Sequence, residues 1–210
     1  RHVFGLAPRQ RGGGGDPRLD RGQITVLGHG RRYSGPMRAR NPWLMTDERM
    51  GDALWQALRR LPPGAGVVFR HHATPPRERY RLWLKVRRIG TARRLFVVAV
   101  GPMPGAHGTH NGRRPTTAAA HSRREAIARR HARYLFVSPV HATRSHPGAP
   151  ALGPIRAAAI TRGLSAATIA LGGMTPRRWR RIAHLGFDGW AGIDAFCDDE
   201  PGQKRNAVPI

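Results

Sequence analysis

Between Tyr134 and Phe196 the chain repeats one phrase three times: a short apolar run, a loop of small, hydroxylated or glycine residues, and then a helical pattern. Tyr134–Ser138 opens into PVHATRSHPG, Thr168–Leu171 opens into Gly172 and Gly173, and Gly189–Ile193 closes the series. Apolar strands alternating with helices predict βα units and a parallel sheet. Three such units in succession, with their small and polar residues gathered just after each strand, are the grammar of the last third of a (β/α)8 TIM barrel. In that fold the strand C-termini carry the chemistry and the loops after strands seven and eight often hold phosphate. A doubly wound open sheet shares the alternation but requires a glycine-rich loop after its first strand, and Met45–Arg49 does not supply one.

The rest of the chain parses to match. Trp43–Thr46 reads as strand one, with Asp47 as cap of a helix carrying Leu54, Leu58 and Leu61 at helical spacing. Gly66–Phe69 is strand two. A helix over 77–89 follows, with Tyr80, Trp83, Leu84 and Val86 as its apolar side and Gly90 to stop it. Leu95–Val100 is strand three. From Gly101 to Pro115 there is no amphipathic pattern, so helices three and four are expected to be shortened or missing; the barrel is then compact, roughly 160 residues against the 200 or more usual for the fold. Ser122 with Glu125 three residues on is a capping-box pair, placing the end of strand five near His121 and a helix to about Ala132. Leu152–Arg162 is helical up to Gly163; Thr175, Pro176 and Gly186 frame the helix of Trp179 and Ile182.

Residues 1–36 hold the run Gly12–Gly15 and one short apolar patch, Ile24–Leu27, too little to offset the entropy of ordering them. They are expected to be a disordered or non-native extension, with the barrel over 37–200 and a flexible tail over 201–210. The net charge of +25 invites a polyanion partner, but the arginines are spread along almost every segment and no RNP-like aromatic–basic signature accompanies them. An arginine-carried nucleic-acid role is thus the outside reading. The lone Cys197 forms no internal disulfide, which fits a cytoplasmic setting, and no apolar run approaches the roughly 20 residues that span a bilayer.

Three runs, SPVxxTxSHPG, ALGGMTPxxW and GWAGIDAF, resemble the thiamine phosphate synthase/TenI group of thiamine-pathway barrels. The resemblance extends from about Leu44 to Phe196 and implies a thiazole phosphate ligand, with a pyrimidine diphosphate as second substrate if the protein is a synthase. It implies substrate contacts at Arg70 and His72 after strand two, where the family has R-x-K, and at Ser138, Thr143, Ser145 and His146, with Arg144 among them, in a loop that in the family reads T-x-T-K. Strand one's ITD is matched by Met45, Thr46 and Asp47. His110 ends strand four among the substrate-facing positions. Phosphate is expected on Gly172, Gly173, Gly189, Ala191 and Gly192, where glycine lets backbone N–H groups approach an anion.

The synthases of the family use Mg²⁺, held on an Asn-Asp after strand three and an Asp near strand four. Here strand three runs into Gly101 and strand four into Asn111, and between Arg79 and Phe187 the one acid is Glu125. No cofactor is therefore expected unless the chain condenses its substrates, in which case it needs Mg²⁺. Histidine stands where the acids are missing: His71, His72, His110, His121, His141 and His146 all fall at or after strand ends. Without carboxylate or cysteine partners or an H-x-x-x-H spacing they form no expected metal set; acid–base chemistry suits them better. The expected catalytic residue is His121, whose A-H-S context is similar to the S-x-H-S of TenI-like thiazole tautomerases, in which a histidine moves the proton that aromatises the ring. Condensation and aromatisation both remain open from the residues, as does a non-catalytic barrel that keeps only the phosphate-ligand pocket.

Overall fold

A computed structural model describes residues 41–143, 148 and 150–197. The expectations for 1–36 and 201–210 lie outside them. Eight strands, β1 Trp43–Met45, β2 Gly66–Phe69, β3 Phe96–Val100, β4 Thr109–His110, β5 Thr117–Ala120, β6 Tyr134–Val137, β7 Ala167–Leu171 and β8 Gly189–Gly192, follow one another around a closed barrel. Every pairing is parallel, and closure comes from β1 against β8, where Trp43 lies opposite Ala191. The helices are α1 Ala53–Arg60, α2 Pro76–Ala92, α3 Arg123–Ala128, α4 Pro154–Ile160 and α5 Pro176–Ile182.

Alternation along each strand divides the core into an inside and an outside. Inside, Trp43 meets the edges or faces of Phe96, Tyr134 and Phe136 at centroid distances of 6.0, 5.0 and 5.1 Å. Met45, Val68, Val98, Ile169 and Ala191 complete this cluster. Gly66 makes room for the indole: a Cβ there would sit 2.1 Å from Trp43 Cδ2. Outside, one cluster joins β1–β3 to α1 and α2, and another joins β5–β8 to α3, α4 and α5.

No α-helix intervenes between β3 and β4 or between β4 and β5, as the composition of 101–115 implied. The β3–β4 connection instead lies against α2, with the Trp83 indole donating to Pro104 O at 3.1 Å. β4 is only two residues long and pairs with β5 at a single position, His110 opposite Thr117. Two side chains supply what the ladder lacks: the Ala119 N–H donates to Asn111 Oδ1 at 3.0 Å, and the Arg129 guanidinium donates to Ala119 O.

Several local expectations need correction. Asp47 does not cap α1; its carboxylate accepts from Arg49 N and caps a 3-10 turn, Glu48–Met50, which Gly51 breaks at φ 48° before α1 begins. Gly90 does not end α2. It lies inside the helix and is buried against β3, where a Cβ would come within 2.7 Å of Val97 Cγ2. The helix ends at Ala92 with Arg93 as its C-cap, and Arg94 then takes the left-handed φ of 57° while Leu95 N–H closes back onto Gly90 O. The buried side of α2 is Trp83, Val86 and Gly90, whereas Tyr80 and Leu84 are exposed. α3 stops at Ala128 because the chain has only 129–133 in which to reverse and enter β6. α4 starts two residues late because Leu152 N–H and Gly153 N–H are tied to Pro139 O and Val140 O. α5 keeps its expected frame, with Thr175 Oγ1 accepting from Arg178 N and Gly186 at φ 92°, although its last turn tightens to a 3-10 turn, Ala183–Leu185.

Candidate functional site

His121 follows β5 directly, and three contacts fix it. Its N–H donates to Glu125 Oε2 at 3.2 Å, and Ser122 Oγ caps α3 by accepting from Glu125 N. Its Nδ1 lies 2.9 Å from Ser138 O and 3.3 Å from Ser138 Oγ, across the β5–β6 pairing. A carbonyl oxygen can only accept, so Nδ1 carries a hydrogen, and in the neutral ring the lone pair is on Nε2. Ser138 is thus joined to His121. Thr143 lies further along the β6 loop, while Arg144, Ser145 and His146 lie outside the described residues.

Across the mouth, β1, β2 and β4 bring a second group together. Thr46 Oγ1 accepts from Arg70 N at 3.0 Å and lies 3.0 Å from His71 Nδ1. Arg70 Nη2 reaches Asp47 Oδ2 at 3.4 Å, and Arg49 Nε donates to Asp47 Oδ1 at 2.7 Å. Burial opposes ionisation of Asp47, but the bonds from Arg49 and the charges of Arg49 and Arg70 hold its carboxyl below the usual range. His72 is exposed. His110 is buried with its edge toward Phe136 and its Nδ1 2.9 Å from Thr117 Oγ1. Desolvation, and then the charges of Arg70, Arg129 and His72, lower its pKa to about 4, so at neutral pH it is the uncharged imidazole. His71 is also pushed down, chiefly by burial.

The β7 and β8 ends meet each other. Val140 N–H and His141 N–H donate to Leu171 O and Gly172 O, drawing the β6 loop over the β7 loop. Both glycines have positive φ, 97° at Gly172 and 58° at Gly173, and a Cβ on Gly173 would lie 2.4 Å from Ala142 O. These glycines therefore fit the crossing of two loops, in addition to whatever they offer a ligand. A Cβ on Gly192 would lie 3.6 Å from Met174 O, so the β8 end adjoins the β7 loop. Gly189, by contrast, begins β8 at the opposite end of the strand, and Ala191 belongs to the interior cluster. His141 has its Nε2 enclosed with no partner among the described residues, and burial followed by the Arg178 charge lowers its pKa.

Residues 113–196 match the family model described as thiamine monophosphate synthase. Over this stretch the chain is similar to that family. The matched segment runs from just after β4 to the end of the barrel and includes His121, Ser138 and the β7 and β8 loops. Among solved structures, a thiamine phosphate pyrophosphorylase from Pyrococcus furiosus is 20% identical, with 78% of this chain and 90% of that chain covered at a TM-score of 0.65. One from Bacteroides thetaiotaomicron is also 20% identical, covering 80% and 89%, with a TM-score of 0.49. No curated protein matches the chain.

The Mg²⁺ implied by the family resemblance does not fit the residues at the β3 and β4 ends. Neither 101–108 nor 111–116 contains a carboxylate, and no group of three or more His, Cys, Asp or Glu among the described residues could hold a metal ion. Glu48, Asp52 and Glu78 instead line a cleft of about 470 Å³ with Trp55 and His71, beside α1 and α2. Arg129, which reaches toward β4 from beyond α3, had no sequence signal; its role depends on a gap in the sheet that only the fold creates.

Proposed function

We propose that this barrel is a thiamine-pathway isomerase that aromatises a thiazole phosphate, with His121 as the proton shuttle. The observation that carries the reading is the 2.9 Å approach of His121 Nδ1 to Ser138 O. It leaves Nε2 as a base on a ring anchored at both its backbone and its side chain. In the proposed reaction Nε2 takes a proton from a ring carbon of the non-aromatic tautomer, and the resulting imidazolium returns it to the exocyclic carbon, so no proton is gained or lost overall. The Nδ1–H bond to Ser138 O strengthens as the ring becomes cationic, which favours the transition state over the resting enzyme. The ligand's phosphate is assigned to the β7 and β8 loops around Gly172, Gly173 and Gly192, with Thr143 as a further contact.

Condensation with a pyrimidine diphosphate is the less favoured reading, because the β3 and β4 ends lack the carboxylates that would hold Mg²⁺. The test is turnover of the non-aromatic thiazole phosphate by the purified protein and by His121→Asn. Aromatisation should be abolished in the variant, with affinity for the aromatic product kept within a few fold. Activity that survives the substitution would remove His121 from the chemistry. Binding without turnover by the unaltered protein would leave a non-catalytic ligand-binding barrel. Mg²⁺-saturable formation of thiamine phosphate from the two substrates would restore the synthase reading.

A further inference from the structure

A cleft of about 470 Å³ opens among the loops that follow β1 and β2 and the first turns of α1 and α2. Three carboxylates line it: Glu48 in the 3-10 turn, Asp52 just before α1 and Glu78 in the first turn of α2. Lysine and arginine outnumber the acids 37 to 12 in this chain, yet none of the three forms an ion pair among the described residues. Glu48 is set in place by Ala73 N–H, which donates to its Oε1 at 2.8 Å. Asp52 makes no side-chain cap bond to α1, and both it and Glu78 are exposed.

The rest of the wall suits hydrocarbon. Leu54, Leu82 and the Trp55 indole contribute apolar surface, and the indole already holds one alkylammonium, with Lys85 Nζ 3.6 Å from its ring centroid. His71, only 4% exposed, also lines the cleft. Its Nδ1 meets Thr46 Oγ1 at 3.0 Å and its ring stacks on Phe69, whereas Nε2 has no hydrogen-bond partner among the described residues. Burial keeps this ring uncharged at neutral pH, so a cation entering the cleft meets no repulsion from it. The carboxylates do not converge on a point: no group of three or more His, Cys, Asp or Glu among the described residues could hold a metal ion. The wall therefore matches an extended ligand with charges spaced along an apolar chain.

We propose that this cleft binds a linear polyamine, its ammonium groups paired with Glu48, Asp52 and Glu78 and its methylenes laid against Trp55, Leu54 and Leu82. The site shares no residue with the proposed reaction at His121 and does not depend on it. With a net charge of +25 the chain as a whole repels a polycation, so affinity has to come from these local contacts.

The probe is spermidine, titrated calorimetrically into the full chain at about 0.15 M salt, where distant charges are screened. Expected is one spermidine per chain, held more tightly than putrescine and not displaced by an equal concentration of Mg²⁺. Glu48→Gln, Asp52→Asn and Glu78→Gln should each weaken binding about two- to fivefold, as loss of an exposed ion pair does, and the triple variant at least about tenfold. Trp55→Leu should weaken it too, whereas Lys85→Gln, which frees the indole of its tethered cation, should tighten it. Asp188→Asn, just before β8, changes the net charge equally and should leave affinity unchanged. Absence of binding at about 10 mM spermidine would overturn the inference, as would displacement by Mg²⁺ or an equal loss in Asp188→Asn. Unchanged affinity in the triple variant would also overturn it, leaving Asp52 and Glu78 only as partners of the helix N-termini. His121→Asn should bind spermidine normally, so that failure of the proposed reaction and failure of this site are read separately.

Discussion

Acidification should destabilise this barrel well above the usual carboxylate range, and His110 should be the main cause. Its native pKa is lowered from 6.5 to about 4, first by desolvation and then by Arg70, Arg129 and His72. The unfolded chain therefore binds the proton first as pH falls. Stability is fully present above about pH 6.5 and is lost progressively down to about pH 4. The whole shift corresponds to about 3 kcal/mol at 1.36 kcal/mol per unit, of which about 2 kcal/mol falls between about pH 7 and pH 5. His110 is 5% exposed, so little solvent screening reduces this. His71 and His141, also lowered by burial, act with the same sign. Urea unfolding across that range should show the loss in the unaltered protein. In His110→Asn, which can still meet Thr117 Oγ1, the starting stability is lower but the slope with pH should be smaller by most of that amount. Equal slopes in the two proteins would refute the assignment and move the proton uptake to other histidines.

Two packing substitutions test the core. Gly66→Ala places a methyl 2.1 Å from Trp43 Cδ2, and the indole is hemmed in by three aromatic rings; a loss of at least about 2 kcal/mol in chemical denaturation is expected, and a neutral result would mean that Trp43 can leave its place. Gly90→Ala gains about 1 kcal/mol of helix propensity but brings a Cβ to 2.7 Å from Val97 Cγ2, so the net effect should be destabilising. Gly90→Ala made together with Val97→Ala should recover part of the Gly90→Ala loss relative to Val97→Ala alone, and strictly additive losses would refute the contact.

Much of the barrel was legible because its strands are short apolar runs with distinct punctuation. Thr175, Pro176 and Gly186 framed α5 correctly since capping is a local matter, settled within one turn of chain. Gly90 was misread for the complementary reason. Glycine near a helix end signals termination, yet here the residue answers to Val97 on a neighbouring strand, and Arg94 takes the left-handed position. Asp47 was recognised as a cap but attached to the wrong helix, because Gly51 inserts a break that periodicity does not register. At the mouth, His121 and Ser138 could be named from their places after β5 and β6, whereas the bond between them depends on strand pairing. Gly189 and Ala191 were grouped with Gly192 as a motif; strand direction separates them, leaving Gly192 alone at the loop end.

The division of the core bears on cooperativity. The outer layers of the two halves are distinct clusters, one around Leu58 and Trp83, the other around Leu135 and Ile182. Between them, the β3–β5 arc has no helix to spread packing from one half to the other, and the short β4 relies on side chains for its bonds. Two links join the halves: Phe196, which packs against both outer clusters, and the barrel axis, where Trp43 of β1 touches Phe96 of β3 and both Tyr134 and Phe136 of β6. Damage to an outer layer can remain local to its half, whereas damage to the Trp43 contacts reaches both. Shortening that indole is therefore expected to loosen the coupling between the two halves more than any change confined to one outer layer.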